Sequence, residues 1–166
     1  MTTEQIHGPL TLLHTTMTGA RYFFLLLLLL TSPLAGFGAD TKTDADQAGT
    51  VAMTFINGYV KASRARSWNP EKWVASNPLV TEKFRRARAK LIADGLKKDP
   101  EVGLDADPVI NGNDCPESYT VKSAKASGGI ASVVLIGPKD FPAQLKVRLV
   151  KSDGKWLVEA SGIMLR

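Results

Sequence analysis

The stretch LKVRLVKSDGKWLVEA, residues 145–160, decides the fold of this chain. In its first part, apolar residues alternate with Lys146 and Arg148, which is the period of a strand with one buried and one solvated face. Asp153 and Gly154 then form a two-residue hairpin signal, and the apolar alternation resumes at the tryptophan that follows. The stretch therefore predicts two antiparallel strands joined by a tight turn.

The same period of two extends in both directions from this hairpin. IASVVLI, residues 130–136, follows a turn at residues 127–129 and has bulky residues on both faces, which predicts a strand buried on both sides. An earlier strand is predicted to start near Tyr119, and the last strand is predicted to run out through Ile163 and Leu165. We therefore expect a four-stranded antiparallel meander whose outer face is covered by a second copy of the chain, a homodimer.

Upstream of the strands, the spacing of the apolar residues changes to three and four, which is typical of helices. Between Val51 and Val60 this spacing predicts a first helix from Asp44 to Arg64. Gly58 weakens that helix, and it also allows another element to approach closely. The first helix is thus predicted to turn one apolar face to a core.

Two further helices are predicted before the strands begin. Asn69 and Pro70 supply a cap and a first-turn proline, so they start a short helix that carries Trp73. A longer helix follows and ends before Pro100. Its inward face is predicted to comprise Phe84, Ala87, Leu91, Ile92 and Leu96. Its outer face is predicted to carry the cations Lys83, Arg85, Arg86, Arg88, Lys90, Lys97 and Lys98.

We interpret these seven cations as a solvated helix face and expect no nucleic-acid partner, because no aromatic side chains lie among them to stack on bases. Helices followed by an antiparallel meander define an α+β fold. We expect two to three N-terminal helices packed on a curved four-stranded antiparallel sheet, as a cone-shaped roll. This single domain is predicted to span residues 48–166, behind a polar tether at residues 40–47.

The first 39 residues have the features of a secretory signal peptide. Arg21 precedes YFFLLLLLL, residues 22–30, an apolar run of the length expected for such a signal. Small residues follow, and cleavage is expected after Gly38 or Ala39. The mature protein is therefore predicted to be periplasmic or secreted.

An uncleaved membrane anchor is the alternative, since residues 22–39 carry no charge. Pro33 and Gly36 argue against a spanning helix, so no stable anchor is expected after cleavage. Phe37 stands where a lipoprotein signal has its cysteine, which argues against lipidation. The signal peptide is complete from Met17 onward, and translation is therefore expected to start there rather than at Met1.

The predicted mature chain is poor in catalytic and metal-binding side chains. Both histidines, His7 and His14, lie in the leader, and Cys115 is the single cysteine. The remainder cannot form a Ser-His-Asp triad, an internal disulfide or a metal site built on His and Cys. We expect no catalytic residue, no metal and no cofactor, although a carboxylate with a displaced pKa would still allow catalysis. The net charge of +5 suits an anionic partner.

The segment GLDADPVINGNDCPE, residues 103–117, gathers Asp105, Asp107 and Asp114. A calcium site needs about six to eight converging oxygens, and apolar residues 109–110 fall where such a loop has ligands. A catalytic pair needs facing carboxylates, which the second and third aspartates are placed to form. The interpretation we favour is a connector whose turn-forming pairs bond their own backbone, while residues 109–110 close the open end of the roll.

Aromatic residues supply the other candidates for binding. Phe55, Tyr59, Trp73 and Phe84 are predicted to face the concave side of the sheet, where they either form core or line a pocket. Tyr59 is the better pocket candidate, because a buried hydroxyl needs a partner. The candidate ligand-binding set is therefore Tyr59, Trp73, Asp105, Asp107 and Asp114.

Three strings of the sequence carry a resemblance: FINGYV in the first helix, LDADPVINGNDCP at 104–116 and VRLVKSDGKWLVEASGI at 147–163. Together they resemble a family of bacterial envelope domains of unknown function within the nuclear-transport-factor-2-like group. That resemblance implies a cystatin-like α+β roll and an envelope location, and it implies no activity. Asn113 stands where the family is expected to have glutamine, so the resemblance assigns no role to position 113.

These observations leave three functions in order of expectation. The first is an exported, non-catalytic binding protein that holds a small or extended ligand between the first helix and the sheet. The second is an envelope protein-interaction module, such as a toxin-immunity or enzyme-inhibitor protein. The third is an enzyme that uses Asp105, Asp107 or Asp114, and the missing histidines make it the weakest.

The leader can be tested directly on protein purified from the cell envelope. We expect N-terminal sequencing and intact mass to show a chain that begins at residue 39 or 40, because the cleavage site lies after Gly38 or Ala39. Sequencing of the uncleaved precursor should begin at Met17. A precursor that starts before Met17 would contradict the predicted start, and an envelope protein that retains residues 22–30 would contradict cleavage.

Overall fold

The computed structural model describes residues 42–165. The predicted signal peptide, residues 1–39, and the predicted start at Met17 lie outside the described residues. The helices are α1 (Asp44–Ser63), α2 (Pro70–Ser76) and α3 (Glu82–Lys98). The strands are β1 (Thr120–Ser127), β2 (Ile130–Ile136), β3 (Gln144–Ser152) and β4 (Lys155–Ser161), and a short 3-10 helix, Gly162–Leu165, ends the described chain.

The sheet confirms the predicted meander. Its four strands lie in the order β1-β2-β3-β4, and each pairs with the next in antiparallel fashion. Asp153 and Gly154 have φ angles of 49° and 74°, which is the conformation that a two-residue hairpin requires at both positions. Three helices packed on a four-stranded antiparallel sheet confirm the predicted α+β class.

The start of β2 and the end of β4 bear on the predicted strands. Ile130 begins β2 directly after the Gly128-Gly129 turn and is 55% exposed in the single chain, on the face of β2 that a second copy of the chain is predicted to cover. The last strand ends at Ser161 rather than continuing through Leu165, because Gly162 takes a φ angle of 53° and turns the chain.

Both edges of the sheet have distinct local structure. At the β4 edge, the segment between α2 and α3 pairs with Val158: the Thr81 N–H donates to the Val158 carbonyl at 3.0 Å, and the Val158 N–H donates to that of Leu79 at 2.7 Å. At the β1 edge, the register shifts between Val121 and Ser123, which marks a β-bulge. The first pairing ties the two shorter helices to the sheet.

The longest helix, α1, packs across the sheet through its apolar face. Its N-terminus is closed by a capping box of Thr43 and Asp46, so the helix starts inside the polar segment 40–47. A Cβ at Gly49 would lie 3.4 Å from Val121, and one at Gly58 would lie 3.4 Å from Trp73. Both glycines therefore allow the close approach of a neighbouring element, as predicted for the second.

Two residues of α3 lie opposite to their predicted positions. Arg88, expected on the solvated face, is 5% exposed, whereas Leu96, expected in the core, is 49% exposed. The buried residues of this helix are Phe84, Arg88 and Gly95, which lie on one face at helical spacing. A long side chain can bury its aliphatic stem beside apolar neighbours when its charged end has partners. The spacing of apolar residues in the sequence therefore does not predict that an arginine is buried.

None of the helices in the described part of the chain is both long and apolar enough to cross a membrane.

Hydrogen bonds join the connector, residues 103–117, to the end of β4. The buried Ser161 hydroxyl donates to the Val109 carbonyl at 2.9 Å, and the Ile163 N–H donates to the Pro108 carbonyl at 3.2 Å. Val109 is fully buried, as predicted for the residues that close this end of the domain.

Replacing Gly162 by alanine should be more damaging than the same change at Gly154. Both residues have positive φ angles, so each alanine costs about 1 kcal/mol in backbone strain. A Cβ at Gly162 would in addition lie 2.6 Å from the Pro108 carbonyl oxygen, whereas nothing lies within 4 Å of one at Gly154. We expect Gly162→Ala to lower the free energy of unfolding by about 3 kcal/mol in urea denaturation; equal losses in the two variants would contradict the close contact.

Candidate functional site

Two surface depressions flank the short helix α2, one on each of its faces. On the side of α1, a cavity of about 320 Å³ is lined by Ala62, Ala65, Ser67, Trp68, Asn69, Lys72, Trp73 and Ser76. On the side of α3, a cavity of about 380 Å³ is lined by Glu71, Val74, Ala75, Arg85, Arg88, Ala89, Ile92, Ala93 and Leu96. The sequence places α2 here because Asn69 caps it and Pro70 starts it.

The second depression continues into a third, of about 250 Å³, beside the segment 102–108. The two share four lining residues: Glu71, Arg88, Ile92 and Leu96. We call this continuous depression the α2–α3 groove. Its walls are mainly aliphatic, and the rim residues Leu96 and Val102 are 49% and 61% exposed, so the groove is open to solvent.

Arg88 is the charged residue at the centre of the groove. Its Nη2 lies 3.3 Å from Oε1 of Glu71, whose own side chain is 63% exposed. Its Nε is buried and has no hydrogen-bond partner within residues 42–165. A buried guanidinium with an unused donor is costly, and this is the polar group of the groove that most needs a further acceptor.

Tyr59 contacts residues that line both depressions: its ring packs against two tryptophans, and its hydroxyl binds an aspartate of the connector. Its ring lies edge-on to Trp68 at 5.1 Å and to Trp73 at 5.4 Å between ring centroids. Its hydroxyl donates to Oδ2 of Asp107 at 2.5 Å. Burial, and then the Asp107 carboxylate, raise the pKa of Tyr59 well above its ordinary value, while the Arg88 guanidinium opposes this. The phenol is therefore a hydrogen-bond donor at neutral pH.

Asp107 shapes the connector as well as binding Tyr59. Its Oδ1 accepts from the N–H groups of Val109 and Ile110, at 2.8 and 3.2 Å. Both carboxylate oxygens thus already have partners, in the self-bonded turn that the sequence predicted for this segment. Asp107 is held in place as a structural acceptor and also lines the end of the α2–α3 groove.

The other two predicted aspartates do not join this cluster. Asp105 and Asp114 are both exposed, and Asp105 contributes its backbone carbonyl to Asn113, whose Nδ2 donates at 2.7 Å. Asp107 therefore meets Tyr59 rather than a second carboxylate. Within residues 42–165, no three side chains of His, Cys, Asp and Glu lie close enough together to hold a metal ion.

The structure has packed core side chains where a pocket between α1 and the sheet is predicted. The interior there is filled by core side chains, including Phe55, Tyr59, Val133 and Leu149, which are fully buried. A cavity of about 380 Å³ does lie between the first turns of α1 and β1, but none of the predicted site residues lines it. Of the candidate set, Trp73 lines the cavity on the α1 side of α2.

Three residues of this region are not among the predicted site residues: Trp68, Glu71 and Arg88. The signal for Trp68 was present, since it stands one residue before the Asn69 cap and five before Trp73. Arg88 carried no comparable signal, because it was one of seven cations on the same helix. Its partner Glu71 is 17 residues away in the sequence, and their pairing depends on how α2 packs beside α3.

No protein family model matches this chain, and no curated protein matches it. A protein of unknown function from Bacteroides thetaiotaomicron has a similar structure: it is 18% identical, with 70% of this chain and 89% of that chain covered and a TM-score of 0.51. A chain of the type VI native effector-immunity complex Tae3-Tai3 from Ralstonia pickettii is 20% identical, with 68% and 91% covered and a TM-score of 0.48. At such identities the first of these similarities shows the fold alone, three helices on a four-stranded antiparallel sheet.

Removing the Tyr59 hydroxyl should cost stability, because it leaves one oxygen of the half-buried Asp107 carboxylate without its donor. We expect Tyr59→Phe to lower the free energy of unfolding by about 2 kcal/mol. Tyr119→Phe is the matched control: that residue is also buried, and its hydrogen bonds with the Asn57 side chain use its backbone N–H and carbonyl, which the substitution leaves in place. The control should stay within about 0.5 kcal/mol of the native protein. Equal effects in urea denaturation would contradict the role of the Tyr59–Asp107 bond.

Proposed function

We propose that this protein is an exported, non-catalytic binding module of the cell envelope, and that it holds a segment of another protein in the α2–α3 groove. Export, envelope location and membership of the roll family rest on the sequence and are part of the proposal. The observation that carries it is the buried Arg88 guanidinium, with an unused Nε donor, at the centre of an open aliphatic groove.

The shape of the groove supports a polypeptide partner. Two depressions of about 380 and 250 Å³ share four lining residues, so the groove is elongated rather than a closed chamber. Its rim exposes Leu96 and Val102 to water. Contiguous exposed apolar surface of this kind is typical of interaction sites, and an extended chain can cover such a rim while its side chains enter the depressions.

The chemistry of the groove supports binding rather than turnover. Its ionisable members are Glu71, Arg88 and Asp107, with Arg85 at one end. Tyr59 below it keeps its proton, because burial and the Asp107 carboxylate raise the pKa of the phenol. Asp107 is committed to three hydrogen bonds. These residues offer fixed donors and a cation, which suit recognition of an anionic group.

A small-molecule-binding protein is the second candidate function. The observation that favours it is the cavity on the other face of α2, where the partly buried Trp68 and Trp73 lie 6.2 Å apart between ring centroids. Its volume of about 320 Å³ is at the lower end of the range for small-ligand sites. Native mass spectrometry of the purified protein would show a retained small molecule in that case.

Site-specific photo-crosslinking in the native cell tests the first candidate. A photoreactive phenylalanine analogue at Leu96 should give one discrete adduct with another protein, because this side chain lies on the rim of the groove. The same analogue at Phe141 is the control, since Phe141 is similarly apolar and 39% exposed, but lies in the β2–β3 loop. Adducts of equal yield at both positions, or none at Leu96, would contradict the proposed surface.

A further inference from the structure

We propose that Arg88 binds a carboxylate of the partner, an acidic side chain flanked by aliphatic residues, and that Glu71 occupies this place while the groove is empty. This inference rests on the proposed function, since it names the chemistry of the segment that the groove would hold. The partner is identified here only by that chemistry: one Asp or Glu between two aliphatic side chains in a polypeptide.

The Arg88 guanidinium has a hydrogen-bond donor without an acceptor within the described residues. A guanidinium presents five N–H groups in a rigid fork that matches the two oxygens of a carboxylate. Here the Nη2 has an acceptor in Glu71 at 3.3 Å, and the buried Nε has none among the described residues. The guanidinium also acts on the Tyr59 hydroxyl and opposes the rise in the pKa of that phenol, so the Nε is the donor left without an acceptor. A bidentate carboxylate would use it together with a second donor of the fork.

Glu71 is a weak partner of Arg88. The Glu71–Arg88 separation of 3.3 Å is longer than the usual separation of about 2.7–2.9 Å for a charge-assisted bond. Glu71 is 63% exposed in the first turn of α2, so it can leave the guanidinium for water at little cost. The alternative acceptor, Asp107, already accepts from Tyr59 and two backbone N–H groups.

Aliphatic side chains line the groove around the Arg88 guanidinium. Val74 and Ile92 line the groove together with Arg88, and so do the small side chains of Ala75, Ala89 and Ala93. These walls select aliphatic groups next to the carboxylate. Arg85 adds positive charge, while its Nη2 donates to the Asn77 carbonyl at 2.8 Å and so stays part of the framework. The groove therefore has one cationic position between aliphatic walls.

Nitrogen NMR of the arginine side chains tests this assignment on the mature protein. The probe is the capped tripeptide acetyl-Leu-Glu-Leu-amide, and the control is acetyl-Leu-Gln-Leu-amide, which has the same shape without the charge. We expect the first peptide to shift the Arg88 Nε–Hε resonance in a saturable manner and to bind about tenfold or more tightly than the second. Equal binding of the two peptides to the native chain would overturn the proposal.

Variants of the protein give an independent readout. Arg88→Gln should remove the resonance and the preference for the Glu peptide. Glu71→Gln should tighten binding of that peptide by up to about fivefold, because a competing carboxylate is removed. Glu117→Gln is the matched control: Glu117 pairs with Arg64 on the surface and lines none of the depressions that flank α2. An unchanged affinity in Glu71→Gln would overturn the role given to Glu71.

Two outcomes separate this inference from the proposed function. If hexanoate shifts the Arg88 resonance at the same concentrations as the Glu peptide, the groove takes a small amphiphile and the polypeptide partner is wrong. If the photoreactive residue at Leu96 captures a protein that remains captured equally well by Arg88→Gln, the groove binds a protein without using the cation. In that case the carboxylate assignment fails while the proposed function stands.

Discussion

The hydrogen bond from Tyr59 to Asp107 is the contact on which the other features of this structure depend. It joins α1 to the connector between α3 and β1, across 48 residues of sequence. The other oxygen of Asp107 fixes the backbone of Val109 and Ile110, and the Val109 carbonyl in turn accepts from Ser161 at the end of β4. One phenol thereby sets the relative positions of a helix, a connector and the final strand.

This arrangement also explains why the candidate site lies among the helices. The interior between α1 and the sheet is occupied mainly by core residues, whereas depressions lie on both faces of α2, which has one turn-rich segment on either side. The Tyr59 ring supports the two tryptophans, and its hydroxyl end meets Asp107 near Arg88. In a low-dielectric interior, a polar cluster is costly while one of its donors lacks an acceptor, as the Arg88 Nε does within the described residues.

The fold was more predictable from the sequence than the site. Alternation in β3 and β4, the Asp153-Gly154 turn and the Asn69-Pro70 start are local signals, and each element they predicted is present. The burial of Arg88 was not predictable in this way, because it depends on Glu71 and Tyr59, which lie 17 and 29 residues away. The placement of Tyr59 against Asp107 likewise needed the tertiary structure, although the sequence selected both residues.

The pairing of residues 79–81 with β4 has a consequence for how this protein behaves when crowded. An unpaired strand margin is a template for association with other chains. Here the segment between α2 and α3 pairs with the β4 edge at Val158. The opposite edge strand, β1, is distorted by its bulge and carries Lys122 and Lys125. The sheet is thus protected at both edges against growth into ordered aggregates.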